Sequence, residues 1–235
     1  MARSANRKFS PAASARSDGP LSDQIYQHLK WSLIVGDYAP DDAISIRRAA
    51  AEMGTSMMPV REALKRLASE RALVSSANRS FRVRALEPKR ISDLFFVRSC
   101  LEGIATELAT PRLTDAQIDR LDELITLMED GVSRGDIRAY LSHNYSFHFT
   151  IYAAAGNAEL VSVIEGLWAQ TGPFLADGVR RIGMKGEWSQ SHREIAGAIR
   201  ARDAPGARQL IERDIDWGTR LYEKLALGAG NALAK

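Results

Sequence analysis

The 235-residue sequence predicts a mainly α-helical chain in two parts: a small N-terminal helical unit closed by a hairpin, then an antiparallel bundle of six helices. Three observations predict it. Apolar residues recur at spacings of three and four along most of the chain, the period of an amphipathic helix. The segment Leu73 to Val83 alternates instead and carries a polar tip at Asn78, Arg79 and Ser80, the pattern of two paired strands. The charge is also divided, with 16 Lys and Arg against 9 Asp and Glu in residues 1–90, and 16 against 20 in residues 91–235. A basic first third joined to an acidic remainder is the footprint of a nucleic-acid module carried by a domain with another task.

Residues 1–20 are rich in Ala, Ser and Arg and show no hydrophobic period, so a disordered basic tail is expected there. From Leu21 the residues Ile25, Leu29 and Leu33 or Ile34 fall on one stripe, with Ser22 or Asp23 as start signals and Gly36 as the stop. After a loop with Pro40, Asp41 and Asp42, a short helix runs from Ile46 to Met53 and closes at Gly54. Thr55 or Ser56 can cap the next helix, Met57 to Arg71, on which Val60, Leu64 and Leu67 share a face. Two short helices joined by a tight turn, followed by a two-stranded wing, outline a winged helix-turn-helix over residues 21–84.

Residues 85–90 form a linker around Pro88, and residues 91–228 read as helices almost without interruption. The first spans Lys89 to Ala109. The second opens with Thr114 and Gln117 as a capping box and runs to Gly131. The third runs from Asp136 to Ala155, and the fourth from Ala158 to Arg181 with a kink expected at Pro173. The fifth covers Lys185 to Ala201, and the sixth runs to Leu227 before Gly228, leaving 229–235 as a tail. The interior of such a bundle is where a ligand pocket is built.

Composition narrows the classes. With 45% hydrophobic and 26% charged residues the chain is globular. No apolar run approaches the roughly 20 residues needed to cross a bilayer, so a soluble, cytoplasmic chain without a membrane partner is expected. Cys100 is the single cysteine, which excludes an intrachain disulfide. Its neighbours Phe95, Phe96, Val97 and Leu101 predict a core thiol. The stripe Leu94, Val97, Leu101, Ile104 and Leu108 can fill the core or a dimer seam.

The second helix of a helix-turn-helix presents its N-terminal residues to base edges. Here those are Ser56, Met57, Met58 and Arg61, with Lys65 and Arg66 a turn later. Arg61 can donate a bidentate pair to guanine, Ser56 and Lys65 suit phosphate, Arg47 adds charge near the backbone, and Arg79 sits at the wing tip. The run Thr55-Ser56-Met57-Met58-Pro59-Val60-Arg61-Glu62-Ala63-Leu64 resembles the recognition-helix signature of the GntR family, and Leu67 with Leu73-Val74 continues the match. Members usually carry Arg and Thr where this chain has Met57 and Met58, so the resemblance implies operator binding with an altered sequence preference.

In the bundle, Asn144 and His148 stand at i and i+4 on one helix face, His192 lies on the fifth helix and Asp214 on the sixth. Antiparallel packing can bring the four together. The C-terminal part resembles the FadR-type ligand-binding (FCD) domain of the same family, and six helices look like its VanR-like branch. Metal-binding members use Asp or Asn, a His four residues later, and two further histidines. The Asn144 to His148 segment and Ser191-His192-Arg193-Glu194-Ile195 fit that pattern, whereas Asp214 stands in place of the last histidine. Two imidazoles, a carboxylate and an amide oxygen suit Zn²⁺, Ni²⁺ or Mn²⁺. Arg98 matches an arginine that this domain type points into its pocket, where it would pair with an effector carboxylate; the other role open to it is a salt bridge to Glu102.

The resemblance implies a homodimeric transcription regulator, with repression as the expected sense, whose operator affinity is set by a small carboxylic acid bound by Arg98, Asn144, His148 and His192. Two other readings compete with it. A zinc hydrolase on His148, His192 and Asp214 lacks a general base beside the ligands. A sensor that has lost DNA binding through Met57 and Met58 would bind random duplex negligibly even at low salt.

Overall fold

Ile25, Leu29 and Leu33 are buried along one side of the first helix, α1 (Leu21–Ile34), and the chain leaves it at Gly36, whose φ of 70° only glycine adopts at little cost. The computed structural model describes residues 20–75, 80–85, 87–182 and 187–232, so the N-terminal tail and the Arg79 wing tip lie outside the described residues. Strand β1 (Ala43–Ile44) precedes α2 (Ile46–Glu52), which Ser45 caps by accepting from the Arg48 amide at 3.3 Å. Helix α3 (Met57–Ser69) ends two residues short of the expected Arg71, which adopts a φ of 64°. Ser56 has the extended backbone of an N-cap, but its hydroxyl makes no capping bond. Val60, Ala63, Leu64 and Leu67 face inward, where α3 packs on α1.

Strands β2 (Leu73–Ser75) and β3 (Phe81–Val83) pair antiparallel, Leu73 opposite Val83 and Ser75 opposite Phe81. The expected two-stranded wing has a third member, because β1 adds to the free edge of β3 and gives the order β1-β3-β2. Two residues are too few to show a period in sequence. Their strand character comes from the ladder they join.

Among the described residues the C-terminal part holds six helices: α4 (Pro88–Ala109), α5 (Asp115–Ser133), α6 (Ile137–Ala153), α7 (Ala158–Ile182), α8 (Glu187–Arg200) and α9 (Ala204–Ala232). Helix α4 starts inside the expected linker, with Pro88 in its first turn where a missing N–H costs nothing. The capping box of α5 is formed: the Gln117 amide bonds Thr114 Oγ1 at 3.3 Å and the Thr114 amide bonds Gln117 Oε1 at 2.9 Å. Helices α5 and α9 run past the glycines expected to stop them, Gly131 and Gly228, since glycine weakens a helix by about 1 kcal/mol without breaking it. Helix α7 continues through Pro173. No described helix is long and apolar enough to cross a membrane.

Of the apolar stripe expected on α4, Val97, Ile104 and Leu108 are exposed and Leu94 and Leu101 half-buried, whereas Ile91, Phe95 and Ala105 face the bundle core. Cys100 is exposed too, so it is not a core thiol. Phe96 and Val97 share its outward face, whereas Phe95 turns into the bundle.

The two parts meet where α1 lies on α7. Gly172 permits the approach, since a Cβ there would fall 2.5 Å from the Leu33 carbonyl oxygen. The buried Lys30 ammonium pairs with Glu165 at 2.5 Å, Arg138 reaches Asp37 at 3.0 Å, and the Trp31 ring meets Tyr145 edge-on at 5.0 Å.

Candidate functional site

Helices α2 and α3 place most of the expected DNA-reading residues outward. Arg47, Ser56 and Lys65 are exposed, and so are Met57 and Met58 at the start of α3, Met58 at 67%. Two such thioethers in water are unusual and mark an interaction surface. Arg61 is half-buried, and its Nε is buried without a hydrogen-bond partner among the described residues. Lys65 pairs with Glu62 at 3.0 Å, an exposed contact weak enough to be exchanged for a phosphate. Arg66 is engaged internally, stacked 3.7 Å over the Tyr26 ring and bonded to Asp23 and Glu70.

Within the bundle a cavity of about 260 Å³ is lined by Arg98 from α4, Asn144 and His148 from α6, His192 from α8 and Asp214 from α9. Trp168, Trp217, Phe95 and Tyr140 give it aromatic walls. The four side chains that the sequence placed on three helices therefore meet. His148 Nε2 is 3.5 Å from Asp214 Oδ2, His192 Nε2 is 2.9 Å from Asn144 Oδ1, and the ligand atoms of His148, His192 and Asp214 lie within 4.8 Å of one another.

A buried chain of hydrogen bonds sets the state of His148. Arg98 Nε donates to Glu102 Oε1 at 2.6 Å, Tyr152 donates its hydroxyl proton to Glu102 Oε2 at 2.6 Å, and His148 Nδ1 sits 3.0 Å from the Tyr152 oxygen. Because that hydroxyl proton points at Glu102, the tyrosine oxygen can only accept, so His148 carries its proton on Nδ1. Nε2 then presents a lone pair to the Asp214 carboxylate. Burial drives the His148 pKa down to about 3, against the pull of Asp214, so the ring is neutral at ordinary pH. Burial, and then Glu102, holds the Tyr152 hydroxyl protonated. Two facing acceptors, held in place by Ser191 donating to Asp214 Oδ1 at 2.7 Å, suit a cation between them. The donor set fits a divalent metal, and the bonds His148 Nδ1 makes to Tyr152 and Ser191 makes to Asp214 would hold its ligands in orientation.

Arg98 takes the second of the two roles open to it, the salt bridge to Glu102. It lines the cavity, but its charge is balanced by Glu102 and its Nη1 bonds Thr171 at 3.0 Å, with the guanidinium 4.5 Å from the Trp168 ring. Sequence reasoning missed Tyr152, Ser191 and Trp168. Tyr152 stands four residues after His148, a spacing that could have flagged it; Ser191 and Trp168 reach the site only through packing.

A winged helix-turn-helix fixed to a bundle whose cavity joins polar side chains to aromatic walls defines a ligand-responsive DNA-binding regulator. Residues 21–83 match the gntR family of bacterial regulatory proteins and residues 93–216 match the FCD domain, and the chain belongs to the GntR family, with an FCD domain as its C-terminal part. It is 28% identical over 194 residues to the HTH-type transcriptional regulator McbR of Escherichia coli (strain K12), covering 81% of this chain and 87% of that protein. It is 35% identical over 132 residues to the Nta operon transcriptional regulator of Aminobacter aminovorans, 55% of this chain and 61% of that one. It is 24% identical over 203 residues to the HTH-type transcriptional repressor GlaR of Escherichia coli (strain K12), covering 81% and 90%. The solved structure of E. coli McbR/YncC superposes with a TM-score of 0.83 at 27% identity, covering 88% of this chain and 99% of that one.

Proposed function

We propose that this GntR-family regulator is a cytoplasmic repressor, not an enzyme, that binds operator DNA as a homodimer and is released by a small carboxylic acid held on a divalent metal. The observation that carries the metal is the pair of facing acceptors 3.5 Å apart, Nε2 of the buried His148 and Oδ2 of the partly exposed Asp214. Asn144, His148, His192 and Asp214 would hold Zn²⁺, Ni²⁺ or Mn²⁺. The bound ion would supply a Lewis-acid seat for the acid group of the effector. The aromatic walls of the cavity suit the effector's apolar part, and Arg98, neutralised by Glu102, would contribute N–H groups more than charge. The six helices α4–α9 suit the VanR-like branch. On the DNA side the reading assigns Arg47, Ser56, Met57, Met58, Arg61, Lys65 and Arg79 to the operator. Met57 and Met58 can pack on thymine methyl groups but cannot hydrogen-bond guanine. Repression is supported by repressors among its relatives, GlaR among them.

The test is elemental analysis of wild type and His148→Ala, purified without added metal or chelator. Near-stoichiometric zinc, nickel or manganese in wild type, lost in the variant, is the expected result. Absence of metal from wild type even after reconstitution with each ion would sink the metal-held effector.

A further inference from the structure

A second cavity, of about 380 Å³, opens where α1 and the end of α3 face α7, and it shares no lining residue with the first. Tyr26, Lys30, Arg66, Glu70, Glu165 and Gln170 stand in its walls. Most of its charge is balanced internally, since Glu165 holds Lys30 and Glu70 accepts from both Tyr26 and Arg66. Three arginines at its edge are not balanced. Arg90, in the first turn of α4, donates through Nη2 to Gln170 Oε1 at 2.8 Å. Arg71 follows Glu70 in the chain, and the Arg84 amide bonds the Ala72 carbonyl at 3.4 Å, which sets the bases of those two side chains close together. Burial, and after it the charges of Arg84 and Arg71, hold the Arg90 pKa below the usual arginine value, so the three guanidinium groups feel one another. Among the described residues no carboxylate pairs with any of them, and the Nε atoms of Arg84 and Arg90 are buried without a hydrogen-bond partner. Gathered like charges and unbonded buried N–H groups both cost free energy. An anion that accepts from several guanidinium edges at once removes both costs.

We propose that Arg71, Arg84 and Arg90 form an oxyanion site at the edge of this cavity, which takes the phosphate group of a small phosphate monoester whose polar body lies between α1, α3 and α7. Phosphate fits better than carboxylate. It carries a charge of about −1.5 to −2 at neutral pH and three strong acceptor oxygens, one for each guanidinium, where a carboxylate brings one charge and two oxygens. Gln27, Ser162 and Gln170 give the walls amide and hydroxyl groups for a polar body. A DNA phosphate is the other source of the same chemistry, and the placement of the arginines is against it. Arg71 stands beyond the C-terminal end of α3, whose 13 residues span about 20 Å, whereas Met57, Met58 and Arg61 lie towards its N-terminal end. Arg84 leaves β3 at the end away from the connection to β2. Because Arg71 and Arg84 belong to the DNA-binding part and Arg90 to the bundle, an anion held by all three ties one part to the other. The site is separate from the cavity of His148 and Asp214 and rests on neither the metal nor the acid effector.

Inorganic phosphate is the probe, titrated calorimetrically into the full chain in a phosphate-free buffer with a chelator, so that no metal in the first cavity can take it. The expected result is saturable binding of one phosphate per chain. Arg84→Gln and Arg90→Gln should each weaken it about tenfold or more, as loss of a charge-assisted bond requires. Arg61→Ala/Lys65→Ala, altered on the DNA-reading side of α3, should bind phosphate as wild type does. Without phosphate the two glutamine variants should melt no lower than wild type, since each relieves repulsion. The salt dependence of binding to random duplex separates the two sources of phosphate. Its slope should be the same for Arg84→Gln/Arg90→Gln as for wild type, whereas two lost backbone contacts would reduce it by about two. That reduction would assign the arginines to DNA and overturn the proposal. So would a wild type that binds no phosphate, or phosphate binding that survives in the Arg84 and Arg90 variants and is lost from Arg61→Ala/Lys65→Ala. Should a glutamine variant fail to fold, Arg84→Lys and Arg90→Lys carry the same comparison, because they keep the charge and lose the fork.

Discussion

At the scale of single residues, Arg61 and His148 show how burial can prepare a side chain for a partner outside the chain. His148 is neutral because desolvation outweighs the attraction of Asp214, and its proton is held on Nδ1 by a tyrosine whose own proton belongs to Glu102. Arg98 serves that arrangement by bonding both oxygens of Glu102, and the sequence shows only half of it: the i,i+4 pair is visible, but the tyrosine joining it to His148 comes from another helix. Arg61 is the simpler case. Its Nε is buried with no acceptor among the described residues, which costs stability unless something else supplies one. Operator DNA is the natural supplier. Replacing Arg61 with alanine should therefore leave the melting temperature unchanged or slightly higher, while specific binding weakens by about 1–3 kcal/mol and random duplex is held almost as before. Fluorescence anisotropy on an operator selected from a random pool measures both affinities. Wild-type specificity in the variant would remove Arg61 from base reading.

At the scale of elements, what could be read from sequence is what is locally determined. The ends of α1 at Gly36 and of α5 at its Thr114–Gln117 box were legible because the residues that fix them are within a turn. Strand β1 and the exposure of Cys100 were not, because one depends on a ladder partner and the other on which apolar face the rest of the chain covers. Glu165 is the plainest omission. On α7 it reads as one more surface acid, yet it accepts from Lys30 on α1, 135 residues away, and from the Tyr145 hydroxyl at 2.8 Å. Lys30 is almost wholly buried, so Glu165→Ala would strand an ammonium group at the seam between the two parts. Breaking a fully buried pair costs about 3–5 kcal/mol, and because Glu165 keeps 27% of its side chain exposed the expected loss is nearer 2 kcal/mol. That corresponds to about 4–8 °C in a thermal melt. Lys30→Met combined with Glu165→Ala should recover most of it, since no charge is then left buried; a double variant as unstable as the single would show that packing, not the ion pair, sets the cost.

For the whole molecule, the same seam connects the cavity to the DNA-reading helix. Trp168 lines the cavity 5.3 Å from the His148 ring and meets Tyr145 edge-on at 5.8 Å. Tyr145 touches Trp31 of α1 and shares Glu165 with Lys30, and α1 in turn holds α3 through Tyr26, whose hydroxyl bonds Glu70 at 2.8 Å and whose ring lies under Arg66. A ligand alters DNA affinity only by favouring one of two arrangements of such contacts. If this route carries the coupling, Tyr145→Phe should weaken it selectively, because the ring and its packing remain while the bond to Glu165 is lost. Binding of the effector to the DNA-free protein, followed by calorimetry, should change less than about twofold. The ratio of operator affinities with and without effector, of the order of 5–150-fold for couplings of 1–3 kcal/mol, should fall by about 0.5–2 kcal/mol. Linkage requires the same loss in the effect of operator DNA on effector affinity, so the two titrations check one another. Undiminished regulation in both Tyr145→Phe and Lys30→Met would mean that the signal leaves the bundle by a route other than the contact between α1 and α7.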